Sequence, residues 1–236
     1  MNPRCRPSVS CLDSVTMKRV PSLIATCFTA LSVIAFSLPA LEANAAPPVY
    51  AQDFSKAAPG SQPDDLLILD GQFAVKEEAG NRFLELPGAP LESFGFLFGP
   101  SEQSGFEVSA RIFGSRQGRK FPTLAVGLNG ASGYRLQVSP AKKALELFKG
   151  ETAVATAAFD WKSGEWTELR LRIVKGGTAG FRVEGRAWPA SGTEPSQAQV
   201  VLEETTLQPA GKAGAWGMPF AGTPILFDDL KLTPVP

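Results

Sequence analysis

Residues 223–232 read Thr223-Pro224-Ile225-Leu226-Phe227-Asp228-Asp229-Leu230-Lys231-Leu232. In an extended strand Ile225 and Phe227 share one face, and Leu230 and Leu232 also share one face. The step of three from Phe227 to Leu230 places these two pairs on opposite faces unless one residue is looped out. We therefore predict a β-bulge at Asp228-Asp229, which restores one apolar face and leaves an acid at the edge of the packed interior.

The chain from residue 47 onward consists of short alternating segments separated by Gly, Pro, Asn and Ser, without a sustained helical period. Leu169 and Leu171, for example, alternate with Arg170 and Arg172, as in a half-buried strand. The predicted strands are 49–54, 66–69, 72–76, 82–86, 93–98, 105–113, 123–128, 134–138, 144–148, 152–159, 167–174, 180–188, 198–204, 213–217 and 225–232. Asp70-Gly71 and Asn129-Gly130 suit tight hairpins. This pattern predicts an all-β, antiparallel sandwich in one domain over residues 47–236.

The first 45 residues have the pattern of a signal peptide, whose apolar segment we expect to be helical. Lys18 and Arg19 precede an apolar run over residues 23–38, and Ala43-Asn44-Ala45 has the small-x-small form of a cleavage site. Met17 is an alternative start, because the preceding residues add nothing that a signal needs. An uncleaved membrane anchor is the alternative, since the run is near the lower length for a spanning helix, about 17 residues. We predict cleavage after Ala45, export to the periplasm or beyond, and no membrane span in the mature chain.

Composition excludes several chemistries. The chain has no histidine and three cysteines, all in the predicted signal segment at Cys5, Cys11 and Cys27. A mature chain therefore has no disulfide, no thiol nucleophile, no histidine base and none of the ligands typical of zinc sites. The whole chain has 23 basic and 23 acidic residues, so it does not attract polyanions over long range, and nucleic acid is not an expected partner. Its oligomeric state is not indicated by the sequence.

An ordered series of motifs resembles a known family. The motifs are Ser132-Gly133-Tyr134-Arg135-Leu136, Leu145-Glu146-Leu147-Phe148-Lys149, Gly164-Glu165-Trp166-Thr167-Glu168-Leu169, Arg186-Ala187-Trp188-Pro189 with Glu194-Pro195, Gly214-Ala215-Trp216-Gly217, and Phe227-Asp228-Asp229. Together they resemble the concanavalin A-like lectin/glucanase jelly rolls, particularly secreted bacterial laminin-G-like and 3-keto-disaccharide hydrolase domains. The resemblance implies two curved antiparallel sheets in a jelly roll and a role connected with polysaccharide. The Asn-Ser-Gly and Gly-Tyr-Glu stretches of the keto-disaccharide hydrolases and the Glu-x-Asp-x-x-Glu motif of the glucanases are absent, which argues against an enzyme.

The candidate ligand-binding residues lie on two strands. Trp188 shares a strand face with Arg182, Glu184 and Arg186, which is a suitable combination for a sugar ring and its hydroxyls. Arg135 and Gln137 alternate with apolar residues and are predicted to join the same concave face. The alternatives are that the loop 189–195 covers Trp188, and that Arg135 and Gln137 belong to a solvated sheet face. We interpret Trp166, which is out of phase with Leu169, as a core-capping residue, and leave Trp161 and Trp216 unassigned.

Three aspartates form a candidate metal site. Jelly rolls often bring their terminal strands together, which places Asp53 near Asp228 or Asp229, and calcium accepts such carboxylate ligands. The alternative is a bulge whose aspartates bond backbone N–H groups. No cofactor is required by the sequence. For catalysis, a glycosidase needs two carboxylates roughly 5 to 9.5 Å apart, and the spacing of Glu107, Glu146 and Glu184 does not pair them.

Three hypotheses of function follow. The first is a secreted, non-catalytic module that recognises carbohydrate, or another extracytoplasmic partner, through a sheet face. The second is a carbohydrate-active hydrolase or lyase that uses carboxylates, and the third is a structural module of the cell envelope. A basic loop at Arg116, Arg119 and Lys120 adds a possible contact with acidic polysaccharide, against the alternative of an ordinary solvated loop.

Overall fold

A computed structural model describes residues 46–176 and 180–235. The predicted signal segment, with its helix and cleavage site, lies outside these residues, and the domain boundary near residue 47 stays a prediction. Within the described ranges no helix has the length and apolarity needed to cross a membrane. The fifteen predicted strands are all present, and their observed ends lie within four residues of the predicted ones.

The strands are β1 (Tyr50–Gln52), β2 (Leu67–Asp70), β3 (Ala74–Glu78), β4 (Asn81–Leu86), β5 (Phe94–Glu102), β6 (Phe106–Phe113), β7 (Thr123–Leu128), β8 (Tyr134–Ser139), β9 (Ala144–Lys149), β10 (Thr152–Ala158), β11 (Trp166–Lys175), β12 (Phe181–Pro189), β13 (Val200–Glu204), β14 (Gly211–Met218) and β15 (Ile225–Pro234). A short 3-10 turn, Pro140–Lys142, connects β8 to β9.

The strands form two antiparallel sheets packed face to face. The eight-stranded sheet has the order β13-β12-β11-β6-β15-β4-β3, with β1 also pairing β15, and the seven-stranded sheet has the order β10-β9-β8-β7-β14-β5-β2. The core lies between the sheets and consists of apolar side chains that alternate with polar ones along the strands. Phe96 and Phe227, from opposite sheets, meet there edge to face with ring centroids 5.3 Å apart. The prediction of an all-β jelly-roll sandwich is confirmed.

The bulge predicted in the last strand is present. Asp228 pairs with Arg111 of β6 and Lys231 pairs with Ser109, so two residues of β15 oppose one residue of β6. Asp229 takes the left-handed conformation, with φ of 50°. Four apolar residues of β15 are consequently buried in the core on one face, as predicted: Ile225, Phe227, Leu230 and Leu232.

The bulge also marks a change of partner strand. On the edge opposite β6, residues 225–227 pair with β4, whereas residues 230–232 pair with β1. Asp228 and Asp229 therefore lie at the gap between the end of one partner and the start of the next. The terminal strands β1 and β15 do come together, as the sequence predicted.

Two turns were predicted as hairpins, and one prediction is wrong. β7 and β8 form a hairpin through Asn129-Gly130, where both residues have positive φ. Asp70-Gly71 instead ends β2, which belongs to the seven-stranded sheet, and leads to β3 in the other sheet. Gly71 has φ of 107°, and its N–H donates to Asp70 Oδ1. The dipeptide correctly predicts a turn, but the partner of each flanking strand depends on contacts remote in sequence.

Candidate functional site

The outer face of the eight-stranded sheet carries the candidate residues of β12. Val183 and Ala187 of this strand are buried in the core, so the alternate residues project from the opposite face of the sheet. The shared face predicted from alternation is therefore present, and it holds this set: Arg182, Glu184, Arg186 and Trp188.

Trp188 does not offer the exposed platform that was predicted for it. Its side chain is only 9% exposed. Arg170 of β11 lies over the indole, with Cζ 5.4 Å from the ring centroid. The Arg170 guanidinium donates to Glu194 Oε2 at 2.9 Å, and Glu194 belongs to the loop that follows β12. The cover on the ring is therefore Arg170 of the neighbouring strand, which Glu194 of the loop 189–195 holds in place, and not the loop alone as the alternative had it.

The charged residues of β12 are engaged with one another and with β11. Glu184 is 5% exposed and accepts from Arg172 at 2.6 Å. Its other oxygen lies 3.0 Å from Arg182 Nε, and Arg186 lies 3.7 Å away. Buried ion pairs of this kind must be matched, because an unpaired charge there is costly. This part of the face is a closed network with little capacity left for a ligand.

The placement of Arg135 and Gln137 on the same face as Trp188 is wrong. Both belong to β8, in the seven-stranded sheet, and they alternate with Tyr134 and Leu136, which are buried in the core. They therefore project from the opposite side of the sandwich. Alternation identifies the residues that share a strand face, but it does not identify the sheet to which a strand belongs.

The sequence interpretation missed Trp166 as a surface residue of this face. Trp166 is the first residue of β11 and pairs with Phe113 of β6, outside the core cluster. Its ring centroid is 5.6 Å from that of Phe113 and 6.3 Å from that of Phe83. The core-capping role is thus wrong. The signal was present in the sequence, because Trp166 is in phase with Glu168 and Arg170, which are polar.

Arg111 connects this aromatic cluster with the bulge. Its Cζ lies 4.9 Å from the centroid of the Trp166 ring. Its Nη2 donates to Asp228 Oδ2 at 2.7 Å and lies 3.2 Å from Asp229 Oδ2. The guanidinium therefore combines a cation–π contact with two charged contacts. We refer to Trp166, Arg111, Asp228, Asp229 and Asn81 as the bulge site.

Asp228 is the buried acid of the bulge site. It is 2% exposed, and Asn81 Nδ2 donates to Oδ2 at 3.1 Å in addition to the Arg111 bond. Oδ1 accepts the Asp229 backbone N–H at 2.8 Å. This matches the expected backbone bond of a bulge aspartate and adds two side-chain donors. The carboxylate is fully used within the fold, which explains how an acid can be buried at this position.

A cleft opens between the end of β1 and the start of β4. It consists of two adjoining cavities of about 600 Å³ and about 430 Å³, which share Asp53, Ser55 and Asp229 in their walls. The second cavity also reaches Arg111 and Asp228. Both volumes are in the usual range of ligand sites, roughly 300–1,000 Å³. Four residues of the bulge site therefore line a polar, open cleft, whereas Trp166 supports Arg111 from outside its walls: Asn81, Arg111, Asp228 and Asp229.

The three predicted calcium ligands line this cleft without converging on one point. Asp53 Oδ1 accepts from the Ser55 backbone N–H and hydroxyl at 3.0 and 2.7 Å, and these bonds lower the Asp53 pKa. Asp228 and Asp229 both contact Arg111. In the described part of the chain no group of three carboxylate, histidine or cysteine side chains is placed to hold a metal. Calcium at Asp53, Asp228 and Asp229 stays a prediction.

A glycosidase pair is not visible among the candidate carboxylates. Glu146 lies on the seven-stranded sheet, where it accepts from Ser139 Oγ at 2.6 Å and Lys142 Nζ at 2.9 Å. Glu107 and Glu184 share the outer face of the other sheet, but each is paired with arginine. Glu107 and Glu184 therefore have ion-pair roles.

Burial alters the proton affinity of two acids on this face. It raises the pKa of Glu107, although Arg170 Nε lies 3.2 Å from its carboxylate and partly offsets the effect. It also raises the pKa of Glu168, against the opposing attraction of Arg111. Both shifts have the same cause, since removal from water disfavours the charged form of a carboxyl group.

The raised pKa of Glu107 predicts a pH-dependent effect of Glu107→Gln. Below the pKa of the unfolded state, the carboxyl is neutral in both states and the substitution changes the free energy of unfolding little. As pH rises through the folded pKa, the wild type loses stability because it must bury a charge, whereas glutamine stays neutral. We expect Glu107→Gln to be relatively more stable at pH 7 than at pH 4. Urea unfolding of both proteins at the two pH values measures this, and a difference that is constant with pH contradicts it.

Comparisons with known proteins support the fold. No protein-family profile and no curated protein sequence matches the chain. Among solved structures, it is similar to a Bacillus subtilis protein of unknown function with a galectin-like fold, at 12% identity and a TM-score of 0.55, covering 80% of this chain and 97% of that one. It is also similar to the VIP36 exoplasmic/lumenal domain in its Ca²⁺/Man2-bound form, at 10% identity and a TM-score of 0.55, covering 78% and 87%.

A third similar structure is the carbohydrate recognition domain of Emp47p, at 10% identity and a TM-score of 0.52, covering 83% of this chain and 99% of that one. These similarities extend over most of both chains in each comparison. At such low identity they establish the fold alone, and they confirm the concanavalin A-like jelly roll that the sequence motifs indicated.

Proposed function

We propose that this chain is an exported, non-catalytic sandwich that recognises carbohydrate at the bulge site. The observation that carries the proposal is the position of Arg111, which lies over the Trp166 ring and contacts two aspartates at the wall of an open cleft. Sugars present an apolar C–H face beside pairs of hydroxyls, so an aromatic ring next to charged hydrogen-bonding groups matches both parts.

Two further points support the proposal. The similar structures include a carbohydrate recognition domain and a lumenal domain bound to a mannose ligand, as their names state. The predicted signal peptide is consistent with contact with extracellular or envelope polysaccharide.

Trp166→Ala is expected to weaken glycan binding at least tenfold, because it removes the aromatic surface and the support of the Arg111 guanidinium. A glycan array first identifies a ligand, and calorimetry then compares the affinities of the variants. Phe148→Ala is a matched control: its ring lies under Arg135 on the opposite sheet, with Cζ 5.0 Å from the centroid, against 4.9 Å for Arg111 and Trp166.

Phe148→Ala is expected to change the affinity less than twofold. Equal losses in the two variants would contradict a site at the bulge. The absence of any glycan signal from the folded wild type would favour the structural cell-envelope alternative.

A further inference from the structure

A separate cavity lies at one end of the sandwich, and its walls share no residue with the bulge site. Three connections bound it: residues 114–122 between β6 and β7, the turn 140–143 between β8 and β9, and residues 159–165 between β10 and β11. Its volume is about 320 Å³, near the lower end of the range for ligand sites, roughly 300–1,000 Å³. The cavity is therefore of a size for one or two small rings.

Backbone bonds hold the three connections together. The Arg116 N–H donates to Ser163 Oγ at 2.9 Å, and the Gly164 N–H donates to the Gly114 carbonyl at 3.0 Å. The Phe159 N–H donates to the Lys143 carbonyl at 3.0 Å. The backbones of the three connections are thus fixed relative to one another, which lowers the backbone part of the ordering cost of binding.

The walls combine aromatic rings with an excess of positive charge. Phe159 and Trp161 line the cavity and are also part of the buried core, so they form a firm apolar wall. Lys162 pairs with Asp160. Arg116 and Lys143 also line the cavity, and in the ranges that the structure describes neither forms an ion pair within 4.0 Å, although Lys143 attracts the Asp160 carboxylate from a longer distance.

This excess charge is local. The chain as a whole has equal numbers of basic and acidic residues. The exposed loop that carries Arg116 also carries Arg119 and Lys120, and it is the basic loop singled out in the sequence. Two cations without ion-pair partners therefore lie beside aromatic rings at this end of the sandwich. The loop that the sequence predicted to be solvated forms part of the wall of this cavity.

We propose that this cavity is a second binding site, for a sugar unit that carries a carboxylate, such as a uronic acid. The Arg116 guanidinium is suited to the carboxylate because its parallel N–H groups match the two oxygens, and Lys143 adds a point charge. The half-buried Phe121, which also lines the cavity in front of the core, receives the apolar face of the sugar ring. The site differs from the bulge site in its place, its residues and the charge of its ligand.

Calorimetric titration with oligogalacturonate and with its methyl ester tests the proposal. The ester has the same sugar units without the charge, so we expect it to bind at least tenfold more weakly. Arg116→Ala and Lys143→Ala are each expected to weaken oligogalacturonate binding about tenfold, and Arg116→Lys less than Arg116→Ala. Arg119→Ala is the matched control in the same loop, because Arg119 does not line the cavity, and it is expected to stay within twofold of wild type.

Several results would overturn the proposal. Equal affinity for the ester, no binding of oligogalacturonate, or an equal loss in Arg119→Ala would each exclude a carboxylate-specific cavity. Binding to phosphatidylglycerol vesicles without binding to oligogalacturonate would assign the basic surface to lipid instead. Asp229→Gly, at the bulge site but outside the connections that bound this cavity, is expected to leave oligogalacturonate binding unchanged, so failure at this site and failure at the bulge site are distinguishable.

Discussion

Deletion of Asp229 is expected to leave almost no folded protein. Removing one residue from the bulge shifts the end of β15 by one position, which turns Leu230 and Leu232 outward and Lys231 inward. Both leucines are fully buried in the native sandwich. Each such leucine contributes roughly 2–5 kcal/mol, and a whole domain is stable by only about 5–15 kcal/mol. Circular dichroism and urea unfolding of the deletion variant measure the loss.

Asp229→Gly is the matched control for this deletion because it keeps the residue count. Glycine adopts the left-handed φ of this position without strain, which offsets the loss of the 3.2 Å contact with Arg111. An exposed ion pair of this kind contributes roughly 0–1 kcal/mol. We expect Asp229→Gly to remain within about 1 kcal/mol of wild type. A folded deletion variant with a normal unfolding midpoint would show that the bulge does not set the register.

The bulge was predictable because its signal is local. Only the phase of apolar residues along one strand is needed to see that Phe227 and Leu230 cannot share a face without an extra residue. The same local signal locates all fifteen strands. The partners of Asp228 were not predictable in this way, since Arg111 and Asn81 are 117 and 147 positions away in the chain. Nothing in the periodicity of β15 indicates which donors the fold brings to its buried acid.

The candidate ligand-binding residues were likewise predictable only where the signal is local in sequence. Alternation correctly groups Arg182, Glu184 and Trp188 on one face of β12. It does not show that Arg170 from the adjacent strand covers the indole, nor that Arg135 belongs to the other sheet. Trp166 is a different case. It is out of phase with the apolar residues of β11, which suggested a bend, but it is in phase with the polar residues Glu168 and Arg170, which place it on the outer face.

Trp216, which the sequence left unassigned, lies on the outer face of the seven-stranded sheet and is 9% exposed. It lies close over three glycines. A Cβ at Gly95 would approach Trp216 Cδ1 to 2.2 Å, one at Gly127 would approach Cζ3 to 2.8 Å, and one at Gly214 would approach Cη2 to 2.6 Å. The absence of side chains at these positions creates the space that the indole occupies.

Gly95→Ala is expected to destabilise the protein by about 3 kcal/mol, because the new methyl group requires the rigid indole or the strand to move. All three nearest atoms to a Cβ at Gly95 belong to Trp216. In a Trp216→Ala background the cost should therefore fall below about 1 kcal/mol, and this coupling is measured by urea unfolding of the double-mutant cycle.

Gly127→Ala distinguishes a clash with the Trp216 indole from a clash with the backbone of the sheet. A Cβ there would lie 2.7 Å from the Tyr134 carbonyl oxygen as well as 2.8 Å from Trp216. Removing the indole leaves the backbone contact in place, so Trp216→Ala should rescue Gly127→Ala much less than it rescues Gly95→Ala. Equal rescue at both glycines would show that the indole alone sets the cost at each position, and no rescue at either would place the cost in the strands. The difference in coupling free energy between the two cycles therefore measures how much of the cost of a side chain at each glycine comes from the Trp216 indole and how much from the backbone.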